Sequence, residues 1–419
     1  MTTLTDPPKA SFRLSMLLYD TRYRSTTIQV IALLGFMLGA AWLVNNVIVN
    51  LAASGKTFDF GFLWEPAGYD INQKLIEYNS QSTHARAAVV GLLNTLLVAI
   101  MGCITATIIG VFIGILRLSK NWIISRLAAF YVEALRNVPV LLWIILVMAV
   151  AIEFFPAPRA FKGENPEATM KFFDTIAVTN RGVFLPKPQF TNSLGEVAIF
   201  WDSIKLNLDA LAVIVVLIAG IWGSILIKRR ADVIQEATGD RPITWYWQLL
   251  SILGPFIAVL WFLGFHFVYP ELKGFSFKGG IHMRNSLLAL WLALSLYTGA
   301  FIAENVRAGI MAISKGQAEA AAALGLRSGK IMRLVILPQA LRVIVPPLIS
   351  QYLNLTKNSS LAIAVGYMDI TGTLGGITLN QTGREMECLL LLMACYLIIS
   401  LSISSVMNYY NERTKLRER

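Results

Sequence analysis

From Ala87 to Leu116 the chain runs for thirty residues without a charged side chain. A helix needs only about 20 such residues to cross the hydrocarbon of a bilayer. A soluble core cannot absorb many runs of this kind, and eight are present. They lie within Ile28–Leu51, Ala87–Leu116, about Val138–Ile152, Ala210–Ile227, Pro242–Pro270, Asn285–Ala303, about Ile344–Met368 and Cys388–Met407. The third begins earlier, in polar residues, and the seventh contains Lys357. These runs are continuous and do not alternate, which excludes a transmembrane β-barrel. Hydrophobic residues make up 56% of the chain and charged residues 15%, against roughly 45–50% and 25% in soluble domains. The expected fold class is an all-α polytopic membrane protein with about eight transmembrane helices.

Charge then sets the expected orientation. With the N-terminus inside, segments 1–26, 117–126, 228–241, 306–342 and 409–419 carry 21 basic and 8 acidic residues. The opposite segments, 50–86, 153–205, 271–284 and 369–387, carry 13 and 14. Basic loops stay on the cytoplasmic side, so both termini are expected there. The net charge of +11 then faces anionic lipid headgroups and partner proteins. No basic stretch is interleaved with aromatics, so nucleic acid is not an expected partner. Residues 1–26 are polar, and the first span is too long for a signal-peptide core. It is expected to remain as an anchor. Segments 50–86 and 153–205 read as ordered caps or loops, with no soluble domain long enough for its own core.

Covalent chemistry has little to stand on. Cys103, Cys388 and Cys395 lie in or beside apolar runs, as buried thiols do. His84, His266 and His282 are far apart, and no metal-binding spacing occurs. The nearest phosphate-loop lookalike, Gly325 to Ile331, fails because a P-loop requires GxxxxGK followed by Ser or Thr. Neither a cofactor nor a metal is expected in this chain. Any energy it uses comes from an ion gradient or from another subunit.

Segment 306–342 is the most informative. It reads Gly316-Gln-Ala-Glu319-Ala320-Ala321, then Gly325, then Val335-Ile-Leu337-Pro338. The alanines favour helix. Gly325 can turn the chain through positive φ. Arg327, Lys330 and Arg333 follow on a second short amphipathic stretch, and Pro338 is expected to break it before the next span. The reading is a helix–turn–helix at the cytoplasmic surface. It either presents an Ala-rich edge to a partner or is a solvated loop.

This spacing resembles the EAA loop of ABC-importer permeases, with Val335 in place of the usual Ile. By that resemblance Glu319, Ala320, Ala321 and Gly325 couple the chain to an ATP-hydrolysing subunit. Gly91-Leu-Leu-Asn-Thr-Leu, Tyr131-Val-Glu133-Ala-Leu-Arg136-Asn137-Val-Pro139 and Gly299-Ala-Phe-Ile-Ala-Glu304-Asn-Val-Arg307 resemble the polar amino-acid branch of that family. So do Leu337-Pro-Gln339-Ala-Leu-Arg342 and Leu355-Thr-Lys357-Asn358-Ser-Ser-Leu361. The resemblance implies a five-helix type I permease core from spans two, three, six, seven and eight. Spans one, four and five are additions. With Tyr19-Asp20 and Gly68-Tyr69-Asp70-Ile71, they resemble the general L-amino-acid permease subunits of AapQ/BztB type. The implied division is 1–86, a permease domain at 87–410 with an insertion at about 153–284, and a basic tail at 411–419.

Charges at membrane depth cost about 2.5–3.5 kcal/mol on insertion scales, so they usually meet a partner or a cavity. Asn354, Thr356, Lys357, Asn358, Ser359 and Ser360 cluster in span seven and are candidates for the substrate path, with Glu304. Lys357 could meet a substrate carboxylate or pair with Glu304. Glu304 and Arg307 could instead flank the cytoplasmic gate. Glu133 and Arg136, three apart, are expected to pair locally. Gly110 and Gly114 form a GxxxG pair suited to close helix crossing. Pro346-Pro347 is expected to kink the start of span seven.

The resemblance implies an L-amino-acid substrate, a sister permease in a heterodimer, two ATP-binding subunits and a periplasmic binding protein, all at the bacterial inner membrane. ATP and Mg would sit on the partner ATPase. On the residues alone an ion-coupled transporter and a channel remain alternatives. No internal repeat supports the first, and no filter-like sequence supports the second.

Overall fold

Inside a bilayer no water bonds the backbone, so each apolar run must close its own hydrogen bonds. The computed structural model, which describes residues 16–53, 55, 58–163, 165–199 and 204–414, does this with helices. Most of the polar start and the last residues of the basic tail, 1–15 and 415–419, lie outside the described residues. The chain divides into two compact units, Met1–Phe62 and Leu63–Arg419. The first holds a single turn, α1 (Met16–Tyr19), and α2 (Thr21–Ala53), the first span.

The second unit holds α3 (His84–Arg117), α4 (Trp122–Arg136), α5 (Val140–Glu153), α6 (Leu208–Thr238), α7 (Trp245–Phe262) and α8 (Asn285–Met311). There follow α9 (Lys315–Ala323), α10 (Ser328–Ile331), α11 (Leu337–Asn358), α12 (Leu379–Thr382) and α13 (Glu385–Thr414). Seven helices in the described residues are long and apolar enough to span a membrane, or eight if the bent pair α4–α5 counts as one. This is the polytopic helical fold that the sequence implies.

Helix α8 is the hub. It packs against α3, α4, α5 and α11, while α13 closes on α11. Leu287, Leu290, Leu294 and Ile302 of α8 are fully buried with Val98 and Ala106 of α3, Ile144 of α5 and Leu355 of α11. These are the helices of the expected five-helix core. The α3–α8 seam is set by small residues. A Cβ on Gly110 would lie 2.5 Å from Ile302 Cβ and 2.9 Å from the carbonyl oxygen of Gly299. A Cβ on Gly114 would lie 2.8 Å from the carbonyl of Ala303. Backbone cannot step aside as a side chain can. Gly110→Ala is therefore expected to destabilise the folded chain by about 1–3 kcal/mol through overpacking. Thermal unfolding in detergent measures this; an unchanged midpoint would refute the close-crossing role.

Four features differ from the sequence reading. The third span is not one rod: α4 and α5 meet at 104°. Asn137 ends α4, and Pro139 holds extended backbone before α5 (φ −55°, ψ 135°). Pro also disfavours helical geometry at Val138, so the chain turns there. The seventh span leaves α-helix at Asn358 and continues as a 3₁₀ segment, Ser359–Val365. Pro338 does not break the chain before this span. It sits in the first turn of α11, where its missing N–H is tolerated. The preceding turn, Met332–Ile336, is widened to a π-helix, and Leu337 N–H donates to Met332 O. Pro346 and Pro347 lie inside α11.

The fourth difference is β structure in the insertion. Gly182–Leu185 pairs antiparallel with Ala177–Thr179 and with Ile281–Arg284, Val183 opposite Met283. Lys187–Phe190 pairs with Phe265–Val268. Phe184 and Phe277 are buried in a small cluster beneath the sheet. Asn285 Nδ2 donates to Asn180 O at 2.6 Å. The two ends of the insertion are thus tied together at the base of α8. An α6–α7 hairpin can be added there without separating the core helices.

Candidate functional site

The Ala-rich segment folds as two short helices around a tight turn. Its chain reverses at Gly325, with φ +76°. Gly325 N–H donates to Ala322 O at 2.9 Å, and Leu326 N–H donates to Ala321 O at 3.3 Å. These bonds satisfy carbonyls that the end of α9 would otherwise leave open. Ala321 and Ile331 are buried and pin the hairpin. Glu319, Ala320 and Gly325 are exposed, and Leu324 is 82% exposed. One face is therefore packed and the other is offered outward.

Just before this hairpin, one carboxylate joins three helices. Arg117 Nη1 at the end of α3 donates to Glu304 Oε2. Arg307 Nη1 donates to Glu304 Oε1 at 3.1 Å, and Arg136 Nη1 lies 4.0 Å from Oε2. Arg136 also lies over the Phe301 ring, 5.1 Å from its centroid, in a cation–π contact. The Arg117 side chain is 12% exposed and that of Glu304 is 28%. This corrects two expectations. Glu304 is held by arginines and not by Lys357, and Arg136 turns to Glu304 and not to Glu133. Glu133 accepts instead from Asn137 Nδ2 at 3.4 Å. Sequence reasoning missed Arg117, whose only signal was its place as the first charge after the long uncharged run.

The polar cluster of span seven divides. Thr356 Oγ1 donates to Tyr352 O, Ser359 Oγ to Thr356 O and Ser360 Oγ to Lys357 O, at 2.7–2.8 Å. These hydroxyls serve their own helix, with Thr356 and Ser359 buried. Asn358 is half-buried, while Asn354 and Lys357 are exposed. Ser350, Asn354 and Lys357 follow one another at helical spacing and form a polar stripe along an exposed face of α11. Lys357 has no ion-pair partner among the described residues.

A second polar knot, not anticipated, lies between spans seven and eight. Asp369 is fully buried. It accepts from Gly372 N–H at 2.8 Å and from Tyr396 Oη at 3.2 Å. Burial pushes its carboxyl pKa up to about 6, against these hydrogen bonds. Asn94 Nδ2 of α3 donates to both Gln73 O and Met368 O. Tyr69 Oη and His84 Nδ1 both reach Thr378 Oγ1, at 3.0 and 3.1 Å. Residues 67–78 are thereby strapped onto the π segment Thr371–Thr378. No group of three potential metal ligands occurs among the described residues.

Residues 106–416 match the family described as binding-protein-dependent transport system inner membrane component. The chain is 59% identical, over the whole of both chains, to the glutamate/glutamine/aspartate/asparagine transport system permease protein BztB of Rhodobacter capsulatus. It is 42% identical to the general L-amino acid transport system permease protein AapQ of Rhizobium johnstonii, over 98% of this chain and 96% of that one. It is 41% identical to the amino-acid ABC transporter permease protein YhdX of Escherichia coli, named as a putative one, over 94% and 95%.

Proposed function

Since this chain belongs to the family of binding-protein-dependent transport system inner membrane components, we propose that it is the permease subunit of an ATP-driven importer of L-amino acids, broad in specificity. In this reading it spans the bacterial inner membrane with both termini inside. It pairs with a sister permease, receives substrate from a periplasmic binding protein and is driven by two ATP-binding subunits. It performs no covalent chemistry, and ATP and Mg belong to the ATPase.

The observation that carries the reading is the exposed Glu319–Ala320–Leu324 edge on a hairpin packed through Ala321 and Ile331. Small side chains let a partner surface come close, and the buried anchors make the hairpin move as one piece. It lies directly between α8, the hub, and α11, which bears the polar stripe. A push on the hairpin is thus delivered to both helices. Coupling requires that the partner contact it differently in its ATP-bound and ATP-free states. Ser350, Asn354 and Lys357 would then line the path between the paired permeases, with Lys357 facing the substrate carboxylate.

Reconstitution tests this. The chain, its sister, the ATPase and the binding protein in proteoliposomes are expected to take up labelled glutamate and glutamine only with ATP in the ATPase compartment. Lys357→Gln is expected to depress uptake without altering the unfolding midpoint, because no ion pair is lost. Uptake driven by a proton or sodium gradient, without the ATPase, would overturn the assignment. Unchanged uptake in the variant would remove Lys357 from the path.

A further inference from the structure

Lys228, Arg229 and Arg230 stand in sequence on α6, exposed and without an ion-pair partner among the described residues. The acid nearest to them in sequence, Asp232, is engaged by Arg241 Nη2 at 2.8 Å. Arg229 and Arg230 line a groove of about 630 Å³ whose other walls include Gly223, Leu226, Val233 and Ile234. Two like charges therefore border an open apolar groove, and Lys228 precedes them in the chain.

The hairpin around them carries the marks of lipid contact. Helices α6 and α7 pack on each other through a small-residue seam. Ser251 Oγ donates to Gly220 O at 3.1 Å, and a Cβ on Gly220 would lie 2.7 Å from Ser251 O. Outside that seam both helices expose large apolar side chains, such as Ile214, Ile218, Trp222, Leu250 and Trp261. An apolar surface on so many sides fits lipid better than one directed protein interface. The seam also fixes relative depth. Trp247 lines the same crevice as Ile227, so Trp245, Tyr246 and Trp247 lie close to the level of the three cations. Aromatic rings and cations at one depth mark a headgroup layer.

We propose that this groove is a binding site for an anionic phospholipid. Arg229 and Arg230 take the phosphate, whose oxygens suit planar guanidinium donors. Lys228 adds charge, and an acyl chain lies along Leu226 and the apolar face of α6. The inference rests on the hairpin lying in the membrane, not on ATP coupling or on the substrate.

The test is lipid retention. The full chain is purified from bacterial membranes in mild detergent, and bound lipids are quantified by class. Each cation near an anionic surface contributes roughly a fivefold gain in affinity. Lys228→Gln/Arg229→Gln/Arg230→Gln is thus expected to lower retained phosphatidylglycerol and cardiolipin by at least about tenfold, with phosphatidylethanolamine unchanged. Arg229→Lys/Arg230→Lys, which keeps the charge and loses the planar donors, should retain an intermediate amount. Undiminished anionic lipid, or equal loss of every class, overturns the site. Independently of any variant, delipidated wild type should take phosphatidylglycerol from mixed micelles over phosphatidylethanolamine, also by about tenfold. Equal uptake of the two overturns it as well.

Discussion

Replacing Gly325 by valine is expected to cut ATP-dependent uptake by about tenfold or more while leaving insertion intact. The reason is conformational. At φ +76° the position is left-handed, and a β-branched residue held there costs roughly 1–3 kcal/mol. Overlap is not the cause, because a Cβ at Gly325 meets nothing within 4 Å. The strain falls on the turn that joins α9 to α10 and so misplaces the Glu319–Ala320–Leu324 edge. Gly325→Asn is the control, since asparagine enters this region with less strain. It should retain most activity. Recovery of the ATPase on the solubilised complex should follow the same order: wild type, Asn, then Val. Equal recovery in all three would mean that the turn does not position the docking edge.

Removing the carboxylate in Glu304→Ala is expected to destabilise the junction of α3, α4 and α8. It leaves Arg117, Arg136 and Arg307 facing one another without a counter-charge. Breaking a desolvated ion pair on one side costs roughly 3–5 kcal/mol. Here about 2 kcal/mol is the better figure, because Arg136 and Arg307 are about a third exposed and partly screened. Glu304→Gln keeps the shape and loses the charge, so it should lose nearly as much. Adding Arg117→Met to Glu304→Gln should recover part of the loss. Thermal unfolding in detergent reads the stability, and uptake reads the coupling. If Glu304→Gln left both unchanged, the cluster would not be holding α3, α4 and α8 together.

Much of this was legible before any coordinates. The spans follow from a solvent that cannot hydrogen-bond the backbone, so apolar length alone locates them. The Ala-rich hairpin follows from propensity and one glycine, both local properties. Gly110 and Gly114 announced a close crossing by their spacing. The partners of the charges were not legible. Arg117 and Glu304 are 187 residues apart, and nothing local distinguishes Glu304–Arg117 from Glu304–Lys357. Pairing depends on which helix ends the fold brings together. The Asp369 knot was invisible for the same reason, since it joins α13 to a turn that no periodicity describes. Even the bend at Pro139 was only half visible. Proline marks a probable break, but 104° is set by what α4 and α5 pack against on α8.

The sequence by itself therefore determined what is one-dimensional: the apolar spans, the motifs that carry the family and its five-helix core with additions, and the Ala-rich hairpin. The spans and the hairpin rest on composition or spacing within a few turns, and the family and its core rest on the resemblance of the motifs. The tertiary structure alone decided which charges meet, which face of α11 stays open, and how a large insertion closes on itself through Val183 and Met283. It also set Trp247 of α7 in one crevice with Ile227 of α6, one residue before the cations. Those are relations between distant segments. Their energies come from desolvation and contact in three dimensions, and a linear pattern does not record them.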